Sequence, residues 1–272
     1  MSRTVLITGT SSGLGRASAK LFHEKGWNVV ATMRHPERET ELTQLAGMLV
    51  TRLDVQDVQS IDTSVKAAID RFGTLDVLVN NAGYGAYGPL EATSIDSIRR
   101  QFEVNVLGLL GTIRAVLPTF RSNRGGTVVN ISSVGGRLAF PFGSLYHGSK
   151  FAVEGLSEAL QYELATFGGR VKLVEPGGIR TDFAGRSFEL NNDATMEEYQ
   201  ALSKSLIDLL GPMMENGSTP EAIAETVYQA ATDETDRLRF EAGKDAVDMI
   251  AQRRATDDAE FYRGMKQQFG IV

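Results

Sequence analysis

Residues 4–15 read TVLITGTSSGLG and join a short apolar, β-rich run to a glycine-rich turn and the start of a helical pattern. This order presents free backbone N–H groups and the positive end of a helix dipole to a phosphate. A glycine-rich turn alone is a weak signal. Here a second β-rich run, residues 27–33, follows the helix, so the segment predicts the nucleotide-binding start of an α/β fold.

The glycines of this turn have separate predicted tasks. Gly9 makes the tight turn, Gly13 lets the backbone approach a pyrophosphate, and Gly15 lets the helix pack close to the strand. The predicted cofactor contacts in the turn are Gly9, Ser11, Ser12, Gly13, Leu14 and Gly15.

Arg34 stands where the second strand ends, about 20 residues after the glycines. A fold that binds NAD has Asp or Glu here, which holds the ribose 2′-hydroxyl. The planar guanidinium of arginine instead suits a 2′-phosphate, which it can bind with two parallel hydrogen bonds. We therefore predict NADP(H) rather than NAD(H) as the cofactor. The competing interpretation is that Arg34 is a surface residue, since Ser11 and Ser12 add no second cation.

The composition is that of an ordinary globular protein. The 272 residues are 42% hydrophobic and 23% charged, and we predict a single α/β domain over residues 1–272. The net charge of −6 argues against nucleic acid as a partner. The N-terminus lacks a signal-peptide pattern, and no apolar stretch approaches the roughly 20 residues that span a bilayer, so we predict a cytoplasmic protein with no membrane span.

Cysteine and histidine usage excludes several kinds of site. The chain has no cysteine, so disulfides, thiolate metal sites and cysteine nucleophiles are ruled out. The three histidines, His23, His35 and His147, are too scattered for a metal cluster, and we predict no metal site.

Apolar strand-like runs alternate with helical patterns along the chain. Such alternation predicts a parallel sheet with helices on both faces and ligands at the carboxyl ends of the strands. Two of those ends carry polar or small residues, because Asp54 ends one run and residues 80–83 (NNAG) end another. The predicted strands are 4–8, 27–33, 48–54, 75–80, 127–131, 171–175 and 237–240, and the predicted helices include 58–72, 94–120, 221–231 and 246–253.

Residues 146–150 read YHGSK and open a long amphipathic pattern, residues 151–167. Positions four apart lie on one face of a helix, so Tyr146 and Lys150 can present a phenol and an ammonium to the same pocket. A nearby cation favours the phenolate and lowers the pKa of a tyrosine, which suits a proton donor. By itself the pair is more typical of an exposed ring and a solvated charge, so its meaning depends on the rest of the chain.

A series of short motifs occurs in a familiar order between residues 4 and 182. They are TGTSSGLG (8–15), Asp54, NNAG (80–83), Asn105, ISS ending at Ser133, YHGSK (146–150) and PGGIRT (176–181). In this order they resemble the short-chain dehydrogenase/reductase family in its single-domain form. Residues 31–38 and 88–91 look most like its hydroxysteroid and retinol dehydrogenase branch. The resemblance implies a doubly wound, Rossmann-type parallel sheet flanked by helices.

The resemblance also implies a catalytic set of Asn105, Ser133, Tyr146 and Lys150, with Ser132 as the second choice of serine. Tyr146 is expected to act as acid and base, and Ser133 to bind the substrate oxygen. Lys150 is expected to hold the nicotinamide ribose and to lower the pKa of Tyr146. Asn105 is expected to hold a water that links Lys150 to solvent.

Further cofactor contacts follow from the same resemblance. Asp54 is expected to contact the adenine, and Thr181 the nicotinamide carboxamide. The remaining implied contacts are Val55, Asn81, Ala82, Gly83, Tyr146, Lys150, Pro176, Gly177 and Ile179.

The substrate is predicted to be a small hydrophobic carbonyl compound or alcohol. An insertion over residues 183–217, with one or two helices within 188–215, is expected to form a substrate loop or lid, in which Met213 and Met214 adapt to ligand shape. The polar tail, residues 256–272, is expected to pack loosely or to contact a second subunit. The candidate substrate contacts are Tyr84, Tyr87, Phe140, Phe142, Leu145, Phe183 and residues 186–216.

Together these features predict an NADP(H)-dependent oxidoreductase that interconverts a secondary alcohol and a ketone or aldehyde by hydride transfer. The alternatives are an NADP(H)-binding sensor or interaction protein without turnover, and an NAD-dependent alcohol dehydrogenase. Sugar-nucleotide epimerases share a YxxxK pair but are longer, and a serine hydrolase would need a histidine base for Ser133. By family analogy we expect a homodimer or homotetramer joined through the helices of Asn105 and Tyr146.

Overall fold

The main sheet is parallel and carries helices on both faces. A computed structural model describes residues 2–181 and 187–271. The strands in these residues are β1 (Thr4–Thr8), β2 (Asn28–Met33), β3 (Met48–Arg52), β4 (Val77–Asn80), β5 (Gly85–Tyr87), β6 (Gly126–Ile131), β7 (Gly169–Pro176), β8 (Phe188–Leu190) and β9 (Arg239–Ala242). Within the described residues the main sheet has the order β3-β2-β1-β4-β6-β7-β9, and β5 pairs with β8 in a separate small sheet.

Each face of the sheet has its own core. On β1, Val5 and Ile7 point to the face covered by α1 and α7, whereas Leu6 points to the face covered by α2, α4 and α5. The helices are α1 (Gly13–Glu24), α2 (Val58–Phe72), α3 (Ile95–Phe102), α4 (Leu109–Asn123), α5 (Ser144–Ala165), α6 (Glu197–Glu215), α7 (Pro220–Thr232), α8 (Lys244–Ala255) and α9 (Asp258–Gln268).

The direction of strand addition reverses between β1 and β4. The chain builds outward from β1 through β2 to β3, and then returns to place β4 on the other side of β1. In an open parallel sheet, the connections that leave such neighbouring strands separate to opposite faces and open a crevice at the carboxyl ends. The glycine-rich turn after β1 and the NNAG turn after β4 both line this crevice.

The predicted α/β architecture and its strands are confirmed. The strand Thr4–Thr8 and the helix Val58–Phe72 match the prediction at both ends. The other predicted strands, and the helices predicted at 221–231 and 246–253, begin and end within two residues of the observed ones. These elements are the ones with the longest apolar periodicity, which is where pattern reasoning is strongest.

The helix predicted at residues 94–120 contains a π-helical turn, Glu103–Gly108, that the sequence does not reveal. Asn105 sits in this turn and bonds the backbone of Tyr84 through both atoms of its amide. A Cβ atom on Gly108 would lie 2.7 Å from Cβ of Val55, so the turn also packs tightly against the loop after β3. A π turn is set by such tertiary contacts and not by a repeat in the sequence.

The last third of the chain differs from the prediction in two places. Residues 188–190 begin the segment predicted to form one or two helices, but they form β8 beside β5, and the helix of this segment, α6, begins at Glu197. Strands of three residues are too short to show alternation. Loose packing, one of the two alternatives for the tail, does not hold at its end, because Phe269 beyond α9 is buried in a cluster with Tyr87 and Leu206. The other alternative, a subunit contact, stays a prediction.

Within residues 2–181 and 187–271, one helix is long and apolar enough to cross a membrane. It runs from Ile95 to Asn123, 29 residues, and includes the π turn. The core helices of globular proteins can have the same length and composition. Here Ile113, Val116 and Phe120 of that helix are fully buried in the core beneath the sheet.

A buried network of polar side chains fastens two helices to the middle of the sheet. Asn80 donates to Asn130 at 2.9 Å, and Thr112 of α4 donates to Asn80 at 2.6 Å. Asn130 in turn donates to Ser157 of α5 at 2.9 Å. The four side chains are almost wholly buried, so each depends on the others for its hydrogen bonds. The network therefore sets how the α5 helix, with Tyr146 and Lys150, lies on the sheet.

We predict that Asn130→Ala lowers the free energy of unfolding by about 2 to 4 kcal/mol, because the change leaves the buried amide N–H of Asn80 without its partner and removes the donor to Ser157. Urea unfolding followed by circular dichroism measures the loss. Asn192→Ala is the control, since the hydrogen bonds of Asn192 are exposed to solvent and its loss is expected to stay near 0.5 kcal/mol. Equal stability of Asn130→Ala and wild type would contradict this role of the network.

Candidate active site

The turns after β1 and β4 are packed against each other at the base of the crevice. Asn81 donates from Nδ2 to the carbonyl oxygens of Thr8 at 2.8 Å and Gly9 at 3.2 Å. A Cβ atom on Gly15 would lie 2.5 Å from that Nδ2 atom and closer still to the Gly9 carbonyl oxygen. Position 15 therefore admits glycine alone, and the start of α1 lies directly against the turn.

The start of α1 offers open backbone N–H groups to the crevice. Ser12, the N-cap residue, makes no side-chain capping bond, and the first turn holds no acidic residue. Gly9 and Gly13 have φ of +73° and +55°, in the left-handed region that glycine adopts most readily. The exposed amides and the helix dipole suit a phosphate group, so this part of the site fits the pyrophosphate of a dinucleotide.

A cleft of about 1120 Å³ opens above these turns. The cleft exceeds the usual size of a site for one drug-sized ligand and leaves space for a dinucleotide with a second molecule. It is lined by all the predicted cofactor contacts and by Ser133. These residues are Gly9, Ser11, Ser12, Gly13, Leu14, Gly15, Arg34, Asp54, Val55, Asn81, Ala82, Gly83, Ser133, Tyr146, Lys150, Pro176, Gly177, Ile179 and Thr181.

Arg34 is exposed at the end of the cleft where β2 ends. In the described parts of the chain it forms no ion pair, although acidic residues follow it closely in sequence. Those acids have other partners, since Glu39 and Glu41 bind Arg16 at 2.6 Å each, and Glu37 lies 3.1 Å from His35. The guanidinium of Arg34 is thus available to an anionic ligand.

The loop with the PGGIRT motif closes the opposite side of the cleft. Asp245 of α8 accepts a hydrogen bond from the backbone of Gly178 at 2.7 Å and holds the loop in place. Thr181 lies next to the glycine-rich turn, because a Cβ atom on Gly13 would be 3.3 Å from its Cγ2 atom. Asp182, the last residue of the matched motifs, and the candidate contacts Phe183 and Arg186 lie outside the described residues.

Tyr146, Ser133 and Lys150 converge on the middle of the cleft. The side chains of Ser133 and Tyr146 line this part of the cleft together. The ammonium nitrogen of Lys150 is 5.8 Å from the centre of the Tyr146 ring and donates to the Ile131 carbonyl oxygen at 2.8 Å. The spacing of four residues on α5 thus brings both groups into one pocket, as the sequence predicted.

The electrostatics of this group differ from the prediction. Burial raises the pKa of Tyr146, and the hydrogen bond from Ser133 lowers it by a smaller amount. The expected lowering of this pKa by Lys150 is therefore wrong for the protein alone. Burial also lowers the pKa of Lys150 to about 8, against the opposing effect of Glu154, one helical turn further along α5. The desolvation of each group outweighs the field of its neighbours.

Asn105 lies behind the cleft wall and does not line it. Its amide accepts from the backbone of Tyr84 at 3.0 Å and donates to Ser149 at 3.1 Å. A Cβ atom on Gly83 would be 3.2 Å from the Asn105 oxygen and 3.9 Å from the Lys150 nitrogen, so both residues approach the same glycine. The second-choice serine, Ser132, lines the cleft, and its hydroxyl has no hydrogen-bond partner.

Aromatic and aliphatic side chains form the other half of the cleft. Tyr87 packs on Tyr146 with ring centres 5.3 Å apart, and Phe188 stacks on the far side of Tyr87 at 5.2 Å. Of the candidate substrate contacts, Phe142 and Leu145 do not line the cleft. The aromatic and aliphatic candidates that do are Tyr84, Tyr87, Phe140, Phe188, Leu190, Ile207, Leu210, Met213 and Met214.

Gln56, Arg100 and His147 are polar residues of the cleft that the sequence reasoning missed. Arg100 forms a 3.4 Å ion pair at the rim with Glu189, which lies in the candidate segment 186–216, and His147 lies beside Tyr146. The ion pair joins α3 to β8, which are 89 residues apart, so no local pattern reveals it. His147 is visible within the YHGSK motif, where its position next to the tyrosine was the available signal.

Three relatives illustrate the similarity to known proteins. An uncharacterized oxidoreductase of Schizosaccharomyces pombe is 43% identical over 244 residues, which cover 88% of this chain and all of the relative. A 3-ketodihydrosphingosine reductase of Bacteroides thetaiotaomicron is 34% identical and covers 88% of this chain and 87% of its own. Retinol dehydrogenase 8 of Bos taurus is 39% identical, over 69% of this chain and 62% of the relative.

Solved structures show the same architecture. A short-chain dehydrogenase from Streptomyces avermitilis superposes with a TM-score of 0.84 at 34% identity, over all of this chain and 99% of the other. ElxO with NADP bound has a TM-score of 0.73 at 28% identity, covering 89% and 98%. A short-chain dehydrogenase/reductase from Burkholderia phymatum in complex with NAD has a TM-score of 0.80 at 25% identity, covering 96% and 95%.

The family model for short chain dehydrogenases matches residues 3–192, which contain the glycine-rich turn, Tyr146 and Lys150. The match spans well over half of the chain and agrees with the relatives and with the seven-stranded sheet. The protein is thus an oxidoreductase that uses a nicotinamide cofactor, and it belongs to the short-chain dehydrogenase/reductase family.

Proposed function

We propose that the protein is an NADP(H)-dependent oxidoreductase that interconverts a hydrophobic secondary alcohol and its ketone or aldehyde. The observation that carries this proposal is the convergence of Tyr146, Ser133 and Lys150 in the cleft that also contains the open start of α1. A proton donor, an oxygen-binding hydroxyl and a phosphate-binding turn are the groups that carbonyl reduction by a dinucleotide requires.

The chain's own residues supply the proton chemistry. The nicotinamide, when bound, supplies or accepts the hydride. In the reductive direction Tyr146 donates its phenolic proton to the substrate oxygen, and Ser133 donates a hydrogen bond to the same oxygen that strengthens as negative charge develops. Lys150 holds a positive charge next to the phenol, which favours the phenolate that remains. Asn105 fixes the π turn beside Gly83 and Lys150 and, by family resemblance, orders a water there.

We favour NADP(H) because of Arg34. The side chain lies in the cleft at the end of β2, and the acids that follow it have other partners. Relatives in solved structures bind either NADP or NAD, so the choice rests on this residue. An NAD-dependent alcohol dehydrogenase is the second candidate, and it would need the ribose hydroxyls to be held by another group.

The apolar half of the cleft suggests the substrate class. Aromatic rings and two methionines suit a hydrophobic molecule, and relatives are named for 3-ketodihydrosphingosine and retinol. The part of residues 183–217 that the structure describes includes α6, from which Met213 and Met214 line the cleft, and we propose that this segment acts as a substrate lid.

We further propose a cytoplasmic homodimer or homotetramer. Leu107 and Phe151 are about half exposed on the helix of Asn105 and on α5, the two helices through which we expect subunits to meet. Size-exclusion chromatography with light scattering tests the oligomeric state.

The proposed reaction is tested by mixing the protein with NADPH or NADH and a panel of aliphatic, aromatic and steroidal ketones and of aldehydes. Carbonyl-dependent loss of the reduced cofactor supports the proposal. Tight NADPH binding without turnover of any carbonyl compound would favour a sensor or interaction protein instead.

Tyr146→Phe is predicted to lower kcat by about 10²- to 10⁴-fold, because the variant lacks the proton donor. The affinity for NADPH, measured by fluorescence titration, should change little. Tyr162→Phe is the control, since Tyr162 lies on the same helix but is 78% exposed. Near-wild-type turnover of Tyr146→Phe would show that another group transfers the proton.

Arg34→Asp is predicted to lower kcat/KM with NADPH by about 10- to 100-fold, because a charged hydrogen-bonding partner of the 2′-phosphate is replaced by a like charge. The kcat/KM with NADH should stay the same or rise, since Asp can accept hydrogen bonds from the ribose hydroxyls. Arg38→Asp makes the same charge change on the exposed surface four residues later. An unchanged cofactor preference in Arg34→Asp would remove the basis for NADP(H).

The buried charge of Lys150 is predicted to be unfavourable for stability. Lys150→Met should abolish activity but raise the free energy of unfolding at pH 7 by about 1 to 3 kcal/mol. Because the pKa of Lys150 is lowered from 10.5 to about 8, the unfolded chain binds more protons between these values. The wild type therefore gains stability as pH rises from 8 to 10.5, and the advantage of the variant should shrink over that range.

Urea unfolding at pH 7 and pH 9.5 tests this prediction. Lys172→Met is the matched control, because buried Lys172 has a carboxylate partner, Asp233, at 2.7 Å and should lose stability when replaced. A Lys150→Met variant that is less stable than wild type at pH 7 would contradict the proposed electrostatic conflict.

A further inference from the structure

His147 is bonded to the backbone through both ring nitrogens. The N–H of Phe140 donates to Nε2 at 3.0 Å, and Nδ1 lies 3.0 Å from the carbonyl oxygen of Gly135. A backbone N–H can only donate and a carbonyl oxygen can only accept. The proton of the ring must therefore be on Nδ1, and the imidazole is neutral with Nε2 as an acceptor. Burial lowers the pKa of His147 to about 4, which agrees with a neutral ring.

The loop around His147 is shaped to hold this ring. A Cβ atom on Gly135 would lie 2.7 Å from Nδ1, and one on Gly143 would overlap the opposite side of the ring. The rings of Phe140 and Tyr87 contact the remaining edges, with centres 5.6 Å and 5.9 Å away. Only 3% of His147 is exposed, so the residue is fixed between the loop and α5.

Gly135 connects His147 to Ser133. Its carbonyl oxygen accepts from His147, and its N–H, which belongs to the preceding peptide group, donates to Ser133 Oγ at 3.0 Å. Because this N–H occupies one lone pair of Ser133 Oγ, the hydroxyl proton is left to donate into the cleft. Tyr146 lines the cleft as well, and hydrogen bonding with Ser133 lowers the pKa of its phenol.

The link from His147 to Ser133 is therefore one of position. The two hydrogen bonds of the imidazole fix the loop at Phe140 and at Gly135. The fixed Gly135 in turn directs its N–H at Ser133 Oγ, so the hydroxyl has its proton left as a donor.

We propose that His147 is a positioning residue that, through Gly135, holds the hydroxyl of Ser133 so that its proton points into the cleft, where it donates to the phenolate of Tyr146 in the free enzyme and to the substrate oxygen during reduction. The inference rests on the proposed role of Tyr146 as acid and base. His147 itself neither gains nor loses a proton during the reaction, because each ring nitrogen is held by the backbone.

Other titratable groups near these hydrogen bonds are separate from them. Lys150 and Glu154 lie further along α5, and Tyr87 of β5 packs against both Tyr146 and His147. The rings of Phe140 and Phe188 carry no charge. A substitution at His147 leaves the charged groups in place. A change in the ionisation of Tyr146 can therefore be assigned to the hydrogen bonds that run from His147 through Gly135 to Ser133.

The first test is the proton position on His147. Nitrogen-15 NMR of the histidine-labelled protein should show protonated Nδ1 and unprotonated Nε2 from pH 5.5 to pH 9. A ring protonated on Nε2, or one that titrates near 6.5, would overturn the inference. This measurement needs no substrate, so it stands even when the proposed reaction fails.

The second test is the ionisation of Tyr146. In His147→Met the acidic limb of the pH profile for alcohol oxidation, which reports deprotonation of Tyr146, should move up by about half a pH unit. His147→Gln keeps one donor and one acceptor and should restore most of the wild-type profile. Carbon-13 NMR of tyrosine-labelled protein, with the signal assigned through Tyr146→Phe, makes the same comparison without turnover.

A double-mutant cycle separates the effect of these hydrogen bonds from simple loosening of the loop. In a Ser133→Ala background the link to Tyr146 is already broken, so His147→Met should cause no further shift in the ionisation of Tyr146. An equal shift with and without Ser133, or no shift in either background, would overturn the proposal. If His147→Met does not fold, His147→Leu takes its place, and the nitrogen-15 result still decides the premise.

Discussion

The contact between Gly15, Gly9 and Asn81 is the constraint on which the rest of the site depends. No side chain fits at position 15, and the amide of Asn81 bonds the carbonyl oxygens at the end of β1. The first and fourth strands are thereby joined where strand addition reverses, and the start of α1 opens into the crevice between them. The phosphate-binding groups and the reactive side chains share one cleft because these two strands are neighbours.

The other wall of the cleft carries groups that are unfavourable to bury. The ammonium of Lys150 and the phenol of Tyr146 are both desolvated. Burial lowers the pKa of Lys150 and raises the pKa of Tyr146, which favours the neutral form of each group. The buried network of Asn80 and Asn130 holds α5 against the sheet despite this. Polar contacts behind the site therefore stabilise the fold. The groups in the cleft keep environments that are unfavourable for stability and that suit proton transfer.

Much of this arrangement could be predicted from the sequence. Apolar runs and helical periodicity located the seven strands of the main sheet within two residues, and glycine spacing located the nucleotide turn. The remainder depends on tertiary contacts between distant segments. The π turn around Asn105 follows from contacts with Tyr84 and Val55. Burial raises the pKa of Tyr146 only once the cleft has formed, so the sequence shows the neighbouring Lys150 but not this larger effect. His147 was counted as a scattered histidine because its two backbone partners are not recognisable in sequence.

The central claim is that one cleft delivers a hydride from the cofactor and a proton from Tyr146 to the same carbonyl group. The most direct measurement is isotope transfer from NADPH deuterated at the transferable C4 position to a ketone, with the alcohol product analysed by mass spectrometry. The account predicts one deuterium on the carbinol carbon of the product. Alcohol formed without deuterium from fully labelled cofactor would contradict hydride transfer in this cleft.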